Sequence, residues 1–323
     1  MIRDMKDRYP HISLVRICRL LGVTRQAHYQ HGWQAQAMSV EHELVLQQVH
    51  TIRRHHKRMG GRKLHELLDP FMLEHGIKMG RDALFDLLSD HRLLVKRLRT
   101  RVVTTRSSHW LRKWPNLIKD VSPTGVGQQW VSDITYFRTR TEGVVYITLI
   151  TDAYSHRIMG YHLATDLEAV SSLQALRMAI SQAAEVPDGL IHHSDRGVQY
   201  CSQKYVDLLQ QNGILISMTE NGDPLENAVA ERLNGILKQE YLDLGNVDTV
   251  EQARTALDRA VQLYNSERPH ASISMFTPDQ VHHNGNLNVN RTWKNYYRKR
   301  PPVNPDQDKP QSVNLSSDNN PNL

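Results

Sequence analysis

The stretch from Trp130 to Thr165, WVSDITYFRTRTEGVVYITLITDAYSHRIMGYHLAT, decides the architecture. Val, Ile, Thr and Tyr crowd into three short runs, the first two parted by the turn-prone TRTEG. β-Branched and aromatic side chains fit a pleated, half-buried surface, so three antiparallel strands in meander order are predicted. Beyond them the period lengthens. DLEAVSSLQALRMAISQAA sets Val170, Leu173, Leu176 and Ile180 on one helical face, and LIHHSD reads as a fourth strand. SQKYVDLLQQNG is a helix ending at Gly213, and ILISMT is a fifth strand. A long helix is predicted from about Pro224 to Tyr241, and VEQARTALDRAVQLYN is another, leading into YNSERPHASISMFTP.

This order of elements resembles the ribonuclease H-like fold, an α/β architecture in which a mixed five-stranded sheet is flanked by helices. Upstream of it the pattern is helical throughout. HISLVRICRLLGVTRQAHYQH, residues 11–31, has an apolar stripe of Ile12, Val15, Ile17, Leu20 and Leu21, a break at Gly22, and Thr24 as N-cap of a second helix carrying Arg25, Gln26 and His28. That is helix-turn-helix grammar, in which the second helix offers polar side chains near its start to base edges. Thr24, Arg25 and His28 are therefore candidate DNA contacts. Further helices are predicted near Glu41 to His55, Arg62 to Leu68 and Arg81 to Ser89, with the basic loop RRHHKRMGGRK, Arg53 to Lys63, between the first two. Such loops suit phosphate contacts, which makes Arg62 and Lys63 candidates too.

Charge is divided unevenly along the 323 residues. Residues 1–120 hold 23 Lys and Arg against 11 Asp and Glu, whereas residues 121–290 hold 11 against 20, inside a whole that nets only +6. A basic arm for a polyanion is joined to a module rich in carboxylates. The expected organisation is a helix-turn-helix (1–38), a second helical DNA-binding unit (39–94), a basic linker (95–120) that tracks a nucleic-acid backbone through Arg97 and Arg99, an α/β core (121–290), and a basic, then disordered tail (291–323). With 39% hydrophobic residues a wholly disordered chain is excluded. No window is apolar enough to span a membrane and the start lacks an apolar leader, so the chain is expected in the cytoplasm, associated with the nucleoid. Two cysteines, Cys18 and Cys201, are too few for a disulfide framework or a cysteine-rich zinc site.

Three carboxylates stand out by position. Asp133 lies in the first strand, Asp195 at the carboxyl end of the fourth, and Glu231 in the long helix, so the predicted fold can bring all three to one point. Carboxylates gathered together repel unless cations neutralise them, and hard oxygen donors prefer Mg²⁺ or Mn²⁺. Two such ions would activate an attacking oxygen and stabilise a leaving one during phosphodiester cleavage or transfer.

The words around these residues carry a second resemblance. WVSDITYF around Asp133, HHSDRGVQY around Asp195, NAVAERLNGILKQEYL around Glu231 and YNSERPH at Tyr264 to His270 resemble the integrase core of bacterial insertion-sequence transposases. The closest group is insertion-sequence family three, over residues 12–283, matching that family's second reading-frame product. The resemblance implies a DNA transposase that cleaves the element's ends and transfers the 3′-hydroxyl strand. It also implies that Asp133, Asp195 and Glu231 bind two metal ions and that the chain works as a homo-multimer on transposon and target DNA. Fusion to, or cooperation with, an upstream reading-frame product is implied as well. Asn227 matches the family's Asn-Ala-x-Ala-Glu word, as a residue that shapes the helix start or contacts DNA. Lys238, seven residues after Glu231, shares its helical face and is expected to hold a phosphate. Before the helix, where the family often has Lys-Gly-Asn-Cys-Tyr-Asp, this chain has Glu220 to Glu226, ENGDPLE.

Other acids and histidines are weaker candidates. Asp152 is expected to bond backbone in the turn before Arg157. Glu226 lies off the face of Glu231, and Asp223 reads as a helix cap. His192 and His193, adjacent on a strand, point to opposite faces and cannot bind one ion together. The pairs His55–His56 and His282–His283 have no cysteine partners at zinc spacing. Two other functions remain open at this point: a helix-turn-helix DNA-binding regulator with an inactive core, and a ribonuclease H-like nuclease without strand transfer.

Overall fold

The structure, a computed structural model, describes residues 2–95, 110–119, 121–183, 185–220, 227–242, 247–284, 287 and 289. Arg97, Arg99, the acids Asp223 and Glu226, and the tail 291–323 lie outside the described residues.

The front of the chain is helical, with α1 (Ile2–Arg8), α2 (Leu14–Leu20), α3 (Arg25–His55), α4 (Gly61–Glu74) and α5 (Arg81–Asp90). Gly22 sits in the turn between α2 and α3, and Thr24 caps α3, its Oγ1 accepting from the Ala27 amide at 3.0 Å. The predicted apolar stripe on α2 is only partly used: Ile17 and Cys18 are buried, while Val15 and Leu20 face solvent. No proline interrupts Arg25 to His55, and α3 runs unbroken across the expected boundary at 38/39. Its second half packs Val45 and Val49 against Leu64, Leu68 and Met72 of α4 and Leu84, Leu87 and Leu88 of α5. α4 also outruns its predicted end at Leu68, continuing through Pro70. A mid-helix proline costs roughly 3 kcal/mol, and burial of Met72 two residues later offsets part of that.

The sheet consists of β1 (Gln129–Arg138), β2 (Val144–Asp152), β3 (Ile158–Ala164), β4 (Ile191–Ser194) and β5 (Leu215–Met218), in the order β3-β2-β1-β4-β5. The first three strands form the predicted antiparallel meander, and β4 and β5 add parallel pairs on the other side of β1. This is the mixed five-stranded, helix-flanked sheet of the ribonuclease H-like fold. On one face α6 (Ala169–Gln182) and α7 (Gln203–Gln211) bury Leu173, Leu176, Tyr205 and Leu209 against Trp130, Ile150 and Met159. Helix α6 lies so close that a Cβ on Gly160 of β3 would come within 2.1 Å of the Ala175 carbonyl oxygen, so no side chain fits there.

The opposite face takes α8 (Ala228–Ile236), its continuation as a π-helical turn over Leu237–Leu242, and α9 (Val250–Ser266). Leu233, Leu237, Leu257 and Tyr264 pack there on Phe137, Ile147 and Leu149. α10 (Pro278–His283) completes the described elements. Among the described residues no helix is long and apolar enough to cross a membrane.

Candidate active site

Strand β1 pairs with β4 at only three positions, the last of them Val131 with His193. Asp133 and Asp195 each lie two residues beyond that last pair, so both carboxylates emerge where the two strands part. In an open α/β sheet that crevice, outside the carboxyl ends of the strands at the point where connectivity reverses, is where ligands bind. Asp195 follows the end of β4, its Oδ1 accepting from the Gly197 amide at 2.9 Å. Asp133 is half-buried at the base of the crevice, with Oδ1 accepting from the Ile134 amide at 2.9 Å.

Helix α8 brings the third carboxylate. Asn227 at its N-cap donates from Nδ2 to the Ser132 carbonyl at 2.9 Å, which anchors the helix start to the residue immediately before Asp133. Asn234 donates from Nδ2 to Asp133 Oδ2 at 2.7 Å. Asn227, Glu231 and Asn234 stand at i, i+4 and i+7, one stripe along the helix. Glu231 is therefore held over β1 between two asparagines that both bond to it. Sequence reading singled out Asn227 and missed Asn234, although the same spacing in NAVAERLN marks it.

The electrostatics agree with this convergence. The Asp133 carboxyl is pushed up to about 7, first by burial, then by the negative charge of Asp195, and further by that of Glu231, against the opposing bonds from Ile134 and Asn234. Both other acids thus act on Asp133. Among the described residues no three His, Cys, Asp or Glu side chains are drawn together into a closed metal-ligand cluster. The Oδ1 atoms of Asn227 and Asn234 are both buried without a hydrogen-bond partner.

Other candidates fall elsewhere. Asp152 is fully buried and structural: Oδ1 accepts from the amides of Tyr154 and Ser155 and from Ser155 Oγ, and Oδ2 from the Gly127 amide at 2.8 Å. His192 and His193 are packed on opposite faces, the first 3.0 Å from Tyr205 Oη and the second 2.8 Å from Ser217 Oγ. Thr24, Arg25 and Arg62 are exposed and His28 half-buried. Lys63 does not face open solvent as a phosphate contact must. Its ammonium lies 3.6 Å from Glu240 Oε1, and burial first, then the Arg268 charge, lower its pKa to about 8. Lys238 falls on the widened π-turn, with its ammonium 4.3 Å from the centre of the Tyr136 ring.

Two Integrase core domain models match residues 123–224 and 212–278. Over 268 residues the chain is 34% identical to the Insertion element IS600 uncharacterized 31 kDa protein of Shigella sonnei, spanning 81% of this chain and 96% of that one. It is 31% identical over 175 residues to Transposase InsF for insertion sequence IS3A of Escherichia coli K12, covering 54% of this chain and 60% of that one. The chain belongs to the insertion-sequence family three transposases.

Another family member, the Transposase for insertion sequence element IS629 of Shigella sonnei, is 35% identical over 141 residues, 44% of this chain and 47% of that one. The chain therefore spans nearly all of the IS600 protein and about half the length of the other two. Among solved structures, a simian T-cell lymphotropic virus intasome in complex with PP2A regulatory subunit B56 gamma aligns over 71% of this chain and 76% of its own, at 20% identity and a TM-score of 0.45. Of the four sequence words, those around Asp133, Asp195 and Glu231 border the β1–β4 crevice and helix α8, whereas YNSERPH lies at the end of α9, where Arg268 bonds Glu240.

Proposed function

We propose that the chain is the catalytic polypeptide of a DNA transposase, which hydrolyses a phosphodiester at an element end and joins the freed 3′-hydroxyl to a second phosphodiester. The observation that carries this reading is that Asp133 and Asp195 both emerge where β1 and β4 part, while α8, which carries Glu231, is pinned to β1 on either side of that residue. Asp133, Asp195 and Glu231 are the proposed ligands of two Mg²⁺ or Mn²⁺ ions.

The residues fit such ions. The donors are all hard oxygens, and a cation would relieve the repulsion from Asp195 and Glu231 that adds to burial in raising Asp133. The partnerless Asn234 Oδ1 beside Asp133 is an acceptor suited to a hydrated cation's water. When bound, the ions supply Lewis-acid activation of the attacking oxygen and charge stabilisation at the leaving one. The chain's own contribution is placement. Asn234 fixes the Asp133 carboxylate, Asn227 fixes the start of the helix that presents Glu231, and the Gly197 amide orients Asp195.

DNA is the proposed partner, gripped by the basic first 120 residues through Thr24, Arg25, His28 and Arg62, with Arg97 and Arg99 in the linker. Assembly as a homo-multimer on DNA, alone or fused with an upstream reading-frame product, belongs to the same proposal.

The test is Glu231→Gln. Strand cleavage and joining are expected to vanish while DNA affinity stays within about twofold, because one carboxylate is neutralised and the basic arm is untouched. Mg²⁺-dependent cleavage retained by this variant overturns the reading. In the wild-type chain, nicks without joined products identify a hydrolytic nuclease, and DNA binding without cleavage in either Mg²⁺ or Mn²⁺ identifies a regulator.

A further inference from the structure

The π-helical turn that extends α8 carries Glu240 and Tyr241, and both leave the sheet to meet the helical unit. Glu240 accepts two bonds from Arg268 of the YNSERPH word, from Nε at 2.8 Å and Nη2 at 2.7 Å. Arg268 is 1% exposed, and its Nη1 lies 2.9 Å from His270 Nε2. The same carboxylate takes Lys63 of α4 at 3.6 Å. One residue on, the Tyr241 hydroxyl is 3.0 Å from Nδ1 of His56, at the end of α3, while His56 Nε2 is 3.0 Å from Glu267 Oε2. A single neutral tautomer satisfies both contacts, Nε2 donating to the carboxylate and Nδ1 accepting from the hydroxyl. Glu240 and Tyr241 of the π-turn and Glu267 of YNSERPH thus meet His56 and Lys63, two residues of the basic loop of the helical unit.

This places a buried ionic joint on the same helix that holds the catalytic carboxylate. Glu240 is nine residues from Glu231 and six from Asn234 along one continuous backbone ladder. A half-buried carboxylate bonded in bidentate fashion by a buried Arg has little freedom of position, and removing it strands the Arg. π-Turns inside helices recur at functional sites, because the extra residue re-aims the side chains that follow.

We infer that Lys63, Glu240 and Arg268 are positioning residues: they fasten the helical DNA-binding unit to the active-site helix, so that the seat of α4 on Glu240 sets the placement of Glu231 over Asp133. This inference rests on the proposed transposase reading, and it gives Lys63 a different task from the DNA contact that its sequence context predicts.

The experiment compares Lys63→Met, which keeps the aliphatic stem and leaves the Glu240–Arg268 pair intact, with Lys63→Arg. Cleavage turnover, DNA affinity and amide hydrogen exchange over residues 228–242 are measured on the full chain with Mg²⁺. The expected result for Lys63→Met is a fall of about 10- to 100-fold in turnover, the scale of a small misplacement of a catalytic group. DNA affinity should stay within about twofold, since no phosphate contact is lost. Exchange over 228–242 should be faster, and Lys63→Arg should restore both readouts. Unchanged exchange in Lys63→Met overturns the joint whatever the chain's activity, and so does a loss of DNA affinity equal to the loss of turnover, which returns Lys63 to the DNA-contact role. Absence of metal-dependent cleavage in the wild-type chain sinks the transposase reading separately, because the exchange measurement does not depend on it.

Discussion

Asn234 donates from Nδ2 to Oδ2 of Asp133 across 2.7 Å, tying helix α8 to strand β1 three residues after Glu231. The bond does two things at once. It fixes the plane of the Asp133 carboxylate, and it holds the turn of helix that presents Glu231.

Replacing Asn234 by Ala removes a bond to a carboxylate without adding bulk. Residues that orient metal-binding carboxylates typically cost about 10- to 100-fold in metal affinity or activity when lost. The half-saturating Mg²⁺ concentration for strand cleavage is therefore expected to rise by that factor, with DNA affinity unchanged. A Mg²⁺ titration that superimposes on the wild type removes Asn234 from this role. Asn234→Asp should be worse still, since it adds a negative charge where Asp133 is already pushed up to about 7.

Asp152 separates a structural acid from a catalytic one. Its four bonds fasten Gly127, Tyr154 and Ser155, and all its partners there are donors. Asp152→Asn turns one acceptor into a donor facing a donor and should destabilise the fold by about 2–3 kcal/mol. Urea unfolding measures the loss. Metal-dependent cleavage at low temperature should persist, whereas its abolition in a folded variant would make Asp152 part of the site.

His192 makes stability depend on pH. Burial first, then the neighbouring His193, lower its pKa from 6.5 to about 3. The unfolded chain therefore takes up a proton below 6.5 that the folded chain refuses. This contribution to stability is complete above pH 6.5 and shrinks by about 1.4 kcal/mol for each unit down to about 3. Between pH 6.5 and 5 the loss is about 2 kcal/mol, and His192→Gln should flatten the slope by that amount in urea titrations at the two pH values. An unchanged slope would mean that His192 is protonated in the folded chain.

Gly160→Ala tests how tightly α6 is seated on the sheet. The new methyl would meet the backbone of Ala175 and Ala179, which cannot rotate away as a side chain would. Overpacking of this kind costs roughly 1–3 kcal/mol or more. For a domain of this size that lowers the melting temperature by at least about 3 °C, measurable by scanning calorimetry. A melting temperature equal to the wild type would show that α6 can lift from β3.

The sheet could be read from sequence because its signal is local. Val, Ile, Thr and Tyr runs report strand by themselves, and Asp133 and Asp195 stand at the ends of such runs. The i, i+4, i+7 stripe of α8 was equally local, and Asn234 escaped notice only because an amide attracts less attention than an acid. Lys63 is a different case. A run of basic residues reports sign, not burial, and Glu240, which Lys63 meets, lies 177 positions away in the chain. Arg268 likewise gains its role from Glu240, 28 positions earlier. The unbroken length of α3 was hidden because two short helical patterns and one long helix share the same period.

That unbroken helix fixes a distance. Its 31 residues, at 1.5 Å each, measure about 46 Å from the cap at Thr24 to His56, close to 14 base pairs of duplex DNA at 3.4 Å per pair. A rod also has a phase: one inserted residue would swing the front end by about 100°, and seven would nearly restore it. Under the proposed transposase reading, an element end served by such a ruler must keep its recognised bases at a set distance and a set rotation from the bond to be cut. Deletions of a few base pairs between the two would then disable it as surely as mutating the bases themselves.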